Sequence, residues 1–226
     1  MIMARLVIQL IVWLAGTGAL LFVPAGTLDW PAAWVFLAEL AVVGIGAGLW
    51  LARSNLSLLK ERMSAPVQRE QKSWDKALMG LVMLLWTGWY VLMGFDIRAN
   101  GTDQIPVAIQ VVAALALLLS VGIVLLTFRE NSYAAPVVKL QKERGQTVVT
   151  TGPYGLVRHP IYTGAVVFFL TTPLLLGSWW GLALAPVIIV VLALRSVLEE
   201  RTLTAELAGY GDYVARVRYR LVPLVW

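Results

Sequence analysis

The stretch GPYGLVRHPIYTGAVVFFLTTPLLLGSW, residues 152–179, joins two unlike halves. The first gathers turn formers and polar chemistry: Gly152, Pro153, Tyr154, Gly155, then Arg158, His159, Pro160 and Tyr162. His159 is the only histidine of the chain. The second is an apolar run, Ile161–Leu176, closed by Gly177 and Ser178. Another apolar run, Trp179–Leu194, follows at once. A connection this short folds two helices back on one another as an antiparallel hairpin. Pro160 holds His159 extended and suits the first turn of a helix, so the first arm starts there. That arm is short for a full crossing, and Pro173 and Pro186 are positions where the arms can kink.

Four more apolar runs precede the hairpin: Leu6–Val23, Ala32–Ala52, Ala77–Phe95 and Ile105–Phe128. At about 1.5 Å per residue, the first spans roughly 27 Å, near the thickness of a bilayer's hydrocarbon. It is longer than a signal-peptide core and has no convincing cleavage site, so it is expected to be retained. Of 226 residues, 59% are hydrophobic and 14% charged, with mean hydropathy +0.78. A soluble domain carries about a quarter charged residues. The expected class is therefore an all-α integral membrane protein of about six transmembrane helices in one domain. Residues 1–128 supply four helices; residues 129–226 supply a long loop, the hairpin and a C-terminal cytoplasmic segment.

Charge placement sets the expected orientation. Every Lys and Arg except Arg98 falls on the side of the two termini, the 53–75 loop and the 129–158 loop. By the positive-inside rule that side, with both termini, is cytoplasmic. The net charge of +5 is thereby read as orientation in the bilayer rather than nucleic-acid binding. A prokaryotic plasma membrane is the expected location. With no cysteine and one histidine, disulfides, thiolate catalysis and multi-His or Cys metal sites are excluded within one chain. No Gly-x-Ser-x-Gly elbow and no phosphate-binding P-loop occurs.

Three polar features stand apart. Glu39 lies inside the second apolar run, where a carboxylate is costly unless paired or protonated; it is either a substrate-pocket residue or a structural polar contact. Leu56–Arg62 in the 53–75 loop has the pattern of a short interfacial helix, for which a membrane-surface role outweighs catalysis. The 129–158 loop is long for a connection, and such loops are often functional; within it Thr147–Thr151 is β-prone.

The chemistry converges on the hairpin's cytoplasmic ends. The helix start at Pro160 leaves free N–H groups and a positive dipole end, with Arg158 and His159 beside it. The second arm ends in Arg195, Glu199 and Glu200. Arg195 and Glu199 share a face, as a surface ion pair or as part of a pocket. A cation, carboxylates and a helix N-terminus facing one space suit a zwitterionic, cationic cofactor better than hydrolysis.

Gly152-Pro153-Tyr154, Arg158-His159-Pro160 with Tyr162 and Gly164, then Arg195, Glu199-Glu200, Leu203, Gly211-Asp212-Tyr213, Val217, Arg220 and Pro223 form an ordered pattern across residues 139–226. It resembles the isoprenylcysteine carboxyl methyltransferase and phospholipid methyltransferase superfamily of integral membrane enzymes. The resemblance implies an S-adenosyl-L-methionine-dependent methyltransferase without a Rossmann domain, releasing S-adenosyl-L-homocysteine. It implies a cofactor pocket of Lys139, Gln146, Thr147, Val148, Val149, Tyr154, His159, Pro160, Ile161, Tyr162, Glu199 and Glu200, beneath a C-terminal lid. Catalytic roles fall to Arg195, Glu199 and His159, with Arg195, and Glu39 on the residue reading above, as substrate contacts. The expected acceptor is an amphiphilic or lipid-like carboxylate or amine reaching the site from the bilayer. The alternatives are an NADPH-dependent reductase on a related scaffold, and a non-catalytic scaffold or transporter.

Overall fold

A computed structural model describes residues 2–226, all helices and loops. In chain order the helices are α1 (Ile2–Ala25), α2 (Pro31–Ser54), α3 (Leu56–Arg62), α4 (Ser73–Asn100), α5 (Val107–Glu130), α6 (Pro160–Leu176), α7 (Trp179–Glu206) and α8 (Tyr210–Arg216). Five of them, α1, α2, α4, α5 and α7, are long and apolar enough to cross a membrane. The sixth, α6, has 17 residues, so its length is about 26 Å. The all-α membrane fold is as expected from the sequence.

The hairpin forms as its residues dictate. Pro160 opens α6, and Gly177 ends it in the left-handed conformation (φ 78°), where a side chain would be strained. Ser178 then caps α7, its hydroxyl accepting from the Gly181 N–H at 3.0 Å. Two buried indoles fasten this turn: Trp30 donates to the Leu176 carbonyl at 3.0 Å and Trp89 to the Gly181 carbonyl at 2.7 Å.

Small residues set the spacing of the bundle, as expected where lipid offers no hydrophobic drive between helices. A Cβ added at Gly44 or Gly48 would stand 2.7 Å from Leu10 or 2.4 Å from Leu6, so these two positions seat α2 against α1. At Gly164 it would stand 2.8 Å from Val124 and 3.1 Å from the Ser120 carbonyl, which is how closely α6 lies on α5. The core joins Phe36, Trp89, Met93, Leu117, Phe169 and Ile188 from five helices.

The polar side departs from the sequence reading in three places. Helix α4 runs on to Asn100, so Asp96 is helical rather than in a loop. Thr147–Thr151 forms no strand: residues 147–150 are irregular loop, with no backbone hydrogen bond to another segment. Helix α3 does form over Leu56–Arg62, but Leu58 and Leu59 are buried against Leu51, Met63 and Phe128 rather than laid on lipid.

Candidate active site

A cavity of about 660 Å³ opens among α4–α7, the 131–149 loop and α8. Its wall follows helical periodicity. Along α7 it is Leu192, Arg195, Glu199 and Leu203, one residue per turn. The wall is thus apolar within the bundle and ionic where α7 leaves it. The inner chamber is lined by Trp86, Val124 and Phe168, and reaches Val43 on α2 and Trp13 on α1. Trp13 is 44% exposed on the outer face of the bundle, so the chamber's wall extends to the lipid side. The outer chamber is lined by Gln146–Val149, Tyr154, Tyr210 and Tyr213.

Two buried carboxylates hold the frame. Asp75, in the first turn of α4, is fully buried. Arg195 donates to it through Nε at 2.7 Å and Nη2 at 3.3 Å, and Gln71 and the Val138 N–H donate to its Oδ2 at 2.9 and 2.8 Å. Arg195 also donates to the Pro136 carbonyl at 3.1 Å. Glu200 is the second hub. It accepts from Arg158 Nε at 2.6 Å, His159 Nε2 at 3.1 Å and Arg220 Nη2 at 2.7 Å. Because a carboxylate accepts, His159 carries its proton on Nε2. Arg158 continues to the Val217 and Arg218 carbonyls, and the 158–159 backbone N–H groups donate to Tyr219 and Arg220. The tail is thereby stitched over the start of α6, and α8 closes on the loop through Tyr213, whose hydroxyl donates to the Tyr154 carbonyl at 2.8 Å.

Glu199 is left differently from its neighbour. Its Oε2 accepts from the Tyr162 hydroxyl at 2.8 Å, and His159 Nδ1 stands 3.9 Å away. Its other oxygen has no protein donor. The backbone N–H groups of Thr147, Val148 and Val149 likewise find no acceptor among the described residues. The Tyr210 hydroxyl on the cavity wall is buried without a partner, while burial pushes its ionisation well above the ordinary value. Burial does the same to Tyr154, whose hydroxyl accepts from Asn131 at 2.6 Å.

Of the residues singled out in the sequence, Lys139, Gln146, Thr147, Val148, Val149, Tyr154, His159, Pro160, Ile161, Tyr162, Arg195 and Glu199 all line the cavity. Three placements differ from the sequence reading. Glu200 is not on the wall, its oxygens being taken by Arg158, His159 and Arg220. Glu39 stands outside the cavity, with Oε2 buried and unpartnered. Arg195 pairs with Asp75 and not with Glu199: the fully buried Asp75 takes it through both oxygens, at 2.7 and 3.3 Å, while Glu199 accepts from Tyr162 instead. Lys139 is paired as well, 3.0 Å from Glu61.

Sequence reasoning missed Asp75, Arg62 and the unpartnered hydroxyl of Tyr210. Asp75 is a carboxylate at the mouth of an apolar run, which is a usable signal. Arg62 ends α3 with its guanidinium 4.9 Å from the Phe128 ring centre, on the cavity wall. Burial, reinforced by Arg195 nearby, pushes it down to about 10.

The helices and the ionic frame thus surround a single cavity, apolar within the bundle and polar where α7 leaves it. Residues 108–211, from α5 to the start of α8, match the phospholipid methyltransferase family model. No curated protein matches the chain.

Proposed function

We propose that the protein transfers a methyl group from S-adenosyl-L-methionine to an amphiphilic acceptor at the cytoplasmic face of a membrane. The observation that carries this reading is a single cavity whose outer end is polar backbone and tyrosine and whose inner end is apolar and reaches Trp13, 44% exposed on α1. A water-soluble cofactor and a bilayer-soluble acceptor can meet only in such a space.

The residues present fit the cofactor. The unpaired backbone of Thr147–Val149 offers donors and acceptors beside the cavity, as an adenine edge requires. The free oxygen of Glu199 suits an ammonium group, in a charge-assisted hydrogen bond. The first turn of α6 offers the N–H groups of Ile161 and Tyr162 to a carboxylate. Tyr210 and Tyr213 cover the site and exclude water, and Tyr210 has a hydroxyl to give.

S-adenosyl-L-methionine would supply an electrophilic methyl carbon: the acceptor's lone pair forms the new bond as the carbon–sulfur bond breaks, the electron pair staying on sulfur. This chain's residues would then act by placement. Tyr162 fixes Glu199, and Asp75 fixes Arg195, whose Nη1 has no partner among the described residues and is left for the acceptor. A carboxylate acceptor loses no proton; an amine must first lose one.

The test is methyl incorporation from labelled S-adenosyl-L-methionine into a total lipid extract, using purified protein in detergent. Label in the organic phase is expected. Label confined to water-soluble compounds would refute the amphiphilic acceptor.

A further inference from the structure

Five basic side chains line the cavity: Arg62, Lys139, Arg158, His159 and Arg195. Four face a carboxylate. Lys139 is 3.0 Å from Glu61, Arg158 2.6 Å and His159 3.1 Å from Glu200, and Arg195 2.7 Å from Asp75. Arg62 alone makes no ion pair and no hydrogen bond among the described residues. A half-buried guanidinium with all its donors unused is costly to keep, unless something brought into the cavity satisfies it.

Its position says what that is. Phe128, under the Arg62 guanidinium, is in the last turns of α5. The next residue, Met63, accepts from Arg5 and Gln9 of α1 through its carbonyl, at 3.0 and 3.3 Å. Arg62 is thus fixed at the level of the first turns of α1. Trp13, Trp86 and Val124 of the apolar chamber lie deeper, and Arg195 is its neighbour on the wall. The geometry points to Arg62 as the residue that holds an anionic oxygen group of the methyl acceptor, a carboxylate or a phosphate, while the acceptor's chain lies in the apolar chamber. This rests on the methyltransferase reading and narrows it to acidic amphiphiles. Arg62 is then a specificity residue rather than part of the cofactor site. If the group held is the carboxylate that is methylated, the ester has no charge for Arg62 to hold, and the product is released. If it is a phosphate, the reacting atom lies elsewhere on the head group and the charge stays.

The experiment is calorimetric titration of the protein in a neutral maltoside detergent with dodecanoate, dodecyl phosphate and methyl dodecanoate. S-adenosyl-L-homocysteine is titrated in parallel. Wild type, R62Q, R62K and the exposed-surface control R69Q are compared. Saturable binding of at least one anionic probe by wild type and R69Q is expected. It should be weakened roughly 10- to 100-fold in R62Q and less in R62K, which keeps the charge but loses the fork. Methyl dodecanoate should bind wild type and R62Q alike. Preference between the two anionic probes tells a carboxylate acceptor from a phosphate-bearing one. S-adenosyl-L-homocysteine should bind all four proteins equally. Equal binding of the anions by R62Q and wild type, or no anion binding by wild type, overturns the inference. So does loss of S-adenosyl-L-homocysteine binding in R62K, which would make Arg62 a cofactor contact. Failure of wild type to bind S-adenosyl-L-homocysteine would instead defeat the methyltransferase reading itself.

Discussion

The two ends of the α6–α7 hairpin are built from the same materials and finished differently. At the closed end Asp96 is fully buried and fully used. It accepts from Ser178 at 2.6 Å, the Trp180 N–H at 3.0 Å and Asn100 at 2.8 Å, and Trp30 and Trp89 cover the turn. At the open end Asp75 and Glu200 are equally well satisfied, yet beside them Glu199, Arg62, Tyr210 and the Thr147–Val149 backbone keep unused hydrogen-bonding capacity. Buried polar groups are normally paired. On the function proposed above, the incomplete end is where a bound ligand would supply the missing partners. Satisfied carboxylates make the frame, and incompletely satisfied ones beside them make the site.

That contrast can be broken by substitution, and the largest effect is expected at Glu199. Glu199→Ala should lower methyl transfer by about 100-fold or more through loss of a charge-assisted contact, with helical content by circular dichroism unchanged. A variant retaining near-normal activity would remove Glu199 from the site. Next comes Asp75→Ala, which strands the Arg195 guanidinium. Breaking a buried pair in this way costs about 3–5 kcal/mol, so thermal unfolding should move to clearly lower temperature. Asp75→Ala with Arg195→Met together should recover part of the loss, and strict additivity would mean the two do not interact.

Asp96→Ala probes the other end. It leaves the Ser178 hydroxyl and the Trp180 N–H without their acceptor, a loss of about 1–3 kcal/mol in stability. S-adenosyl-L-homocysteine affinity, measured below the unfolding transition, should stay within about twofold of wild type. A large fall in affinity would show that the closed end is coupled to the site. The smallest effect is expected from Glu39→Gln, which lies outside the cavity lining; methyl transfer should stay within about twofold, and a larger drop would bring Glu39 into acceptor binding.

Much of the frame is readable in the chain because it depends on local rules. Pro160 and Gly177 mark the limits of α6, and the apolar runs mark the spans. The cavity wall on α7 follows from the turn-by-turn spacing of Arg195, Glu199 and Leu203. What the chain conceals is pairing between residues far apart. Arg195 and Glu199 have the spacing of a helical ion pair. Asp75, 120 residues away in the chain, is fully buried and takes the guanidinium through both oxygens. Arg62 reads as a surface cation on an amphipathic turn, and only the burial of Leu58 and Leu59 turns it towards the cavity. Thr147–Thr151 reads as a strand because its side chains favour extension; it is a loop whose backbone finds no ladder partner, a matter of long-range pairing that local preference does not decide.

The most direct test of the account is calorimetric titration of S-adenosyl-L-homocysteine into the detergent-purified protein, beside its Glu199→Ala and Asp96→Ala variants. Saturable one-to-one binding by wild type and Asp96→Ala, lost in Glu199→Ala, is the predicted result. No binding by folded wild-type protein, or equal binding by Glu199→Ala, would contradict it.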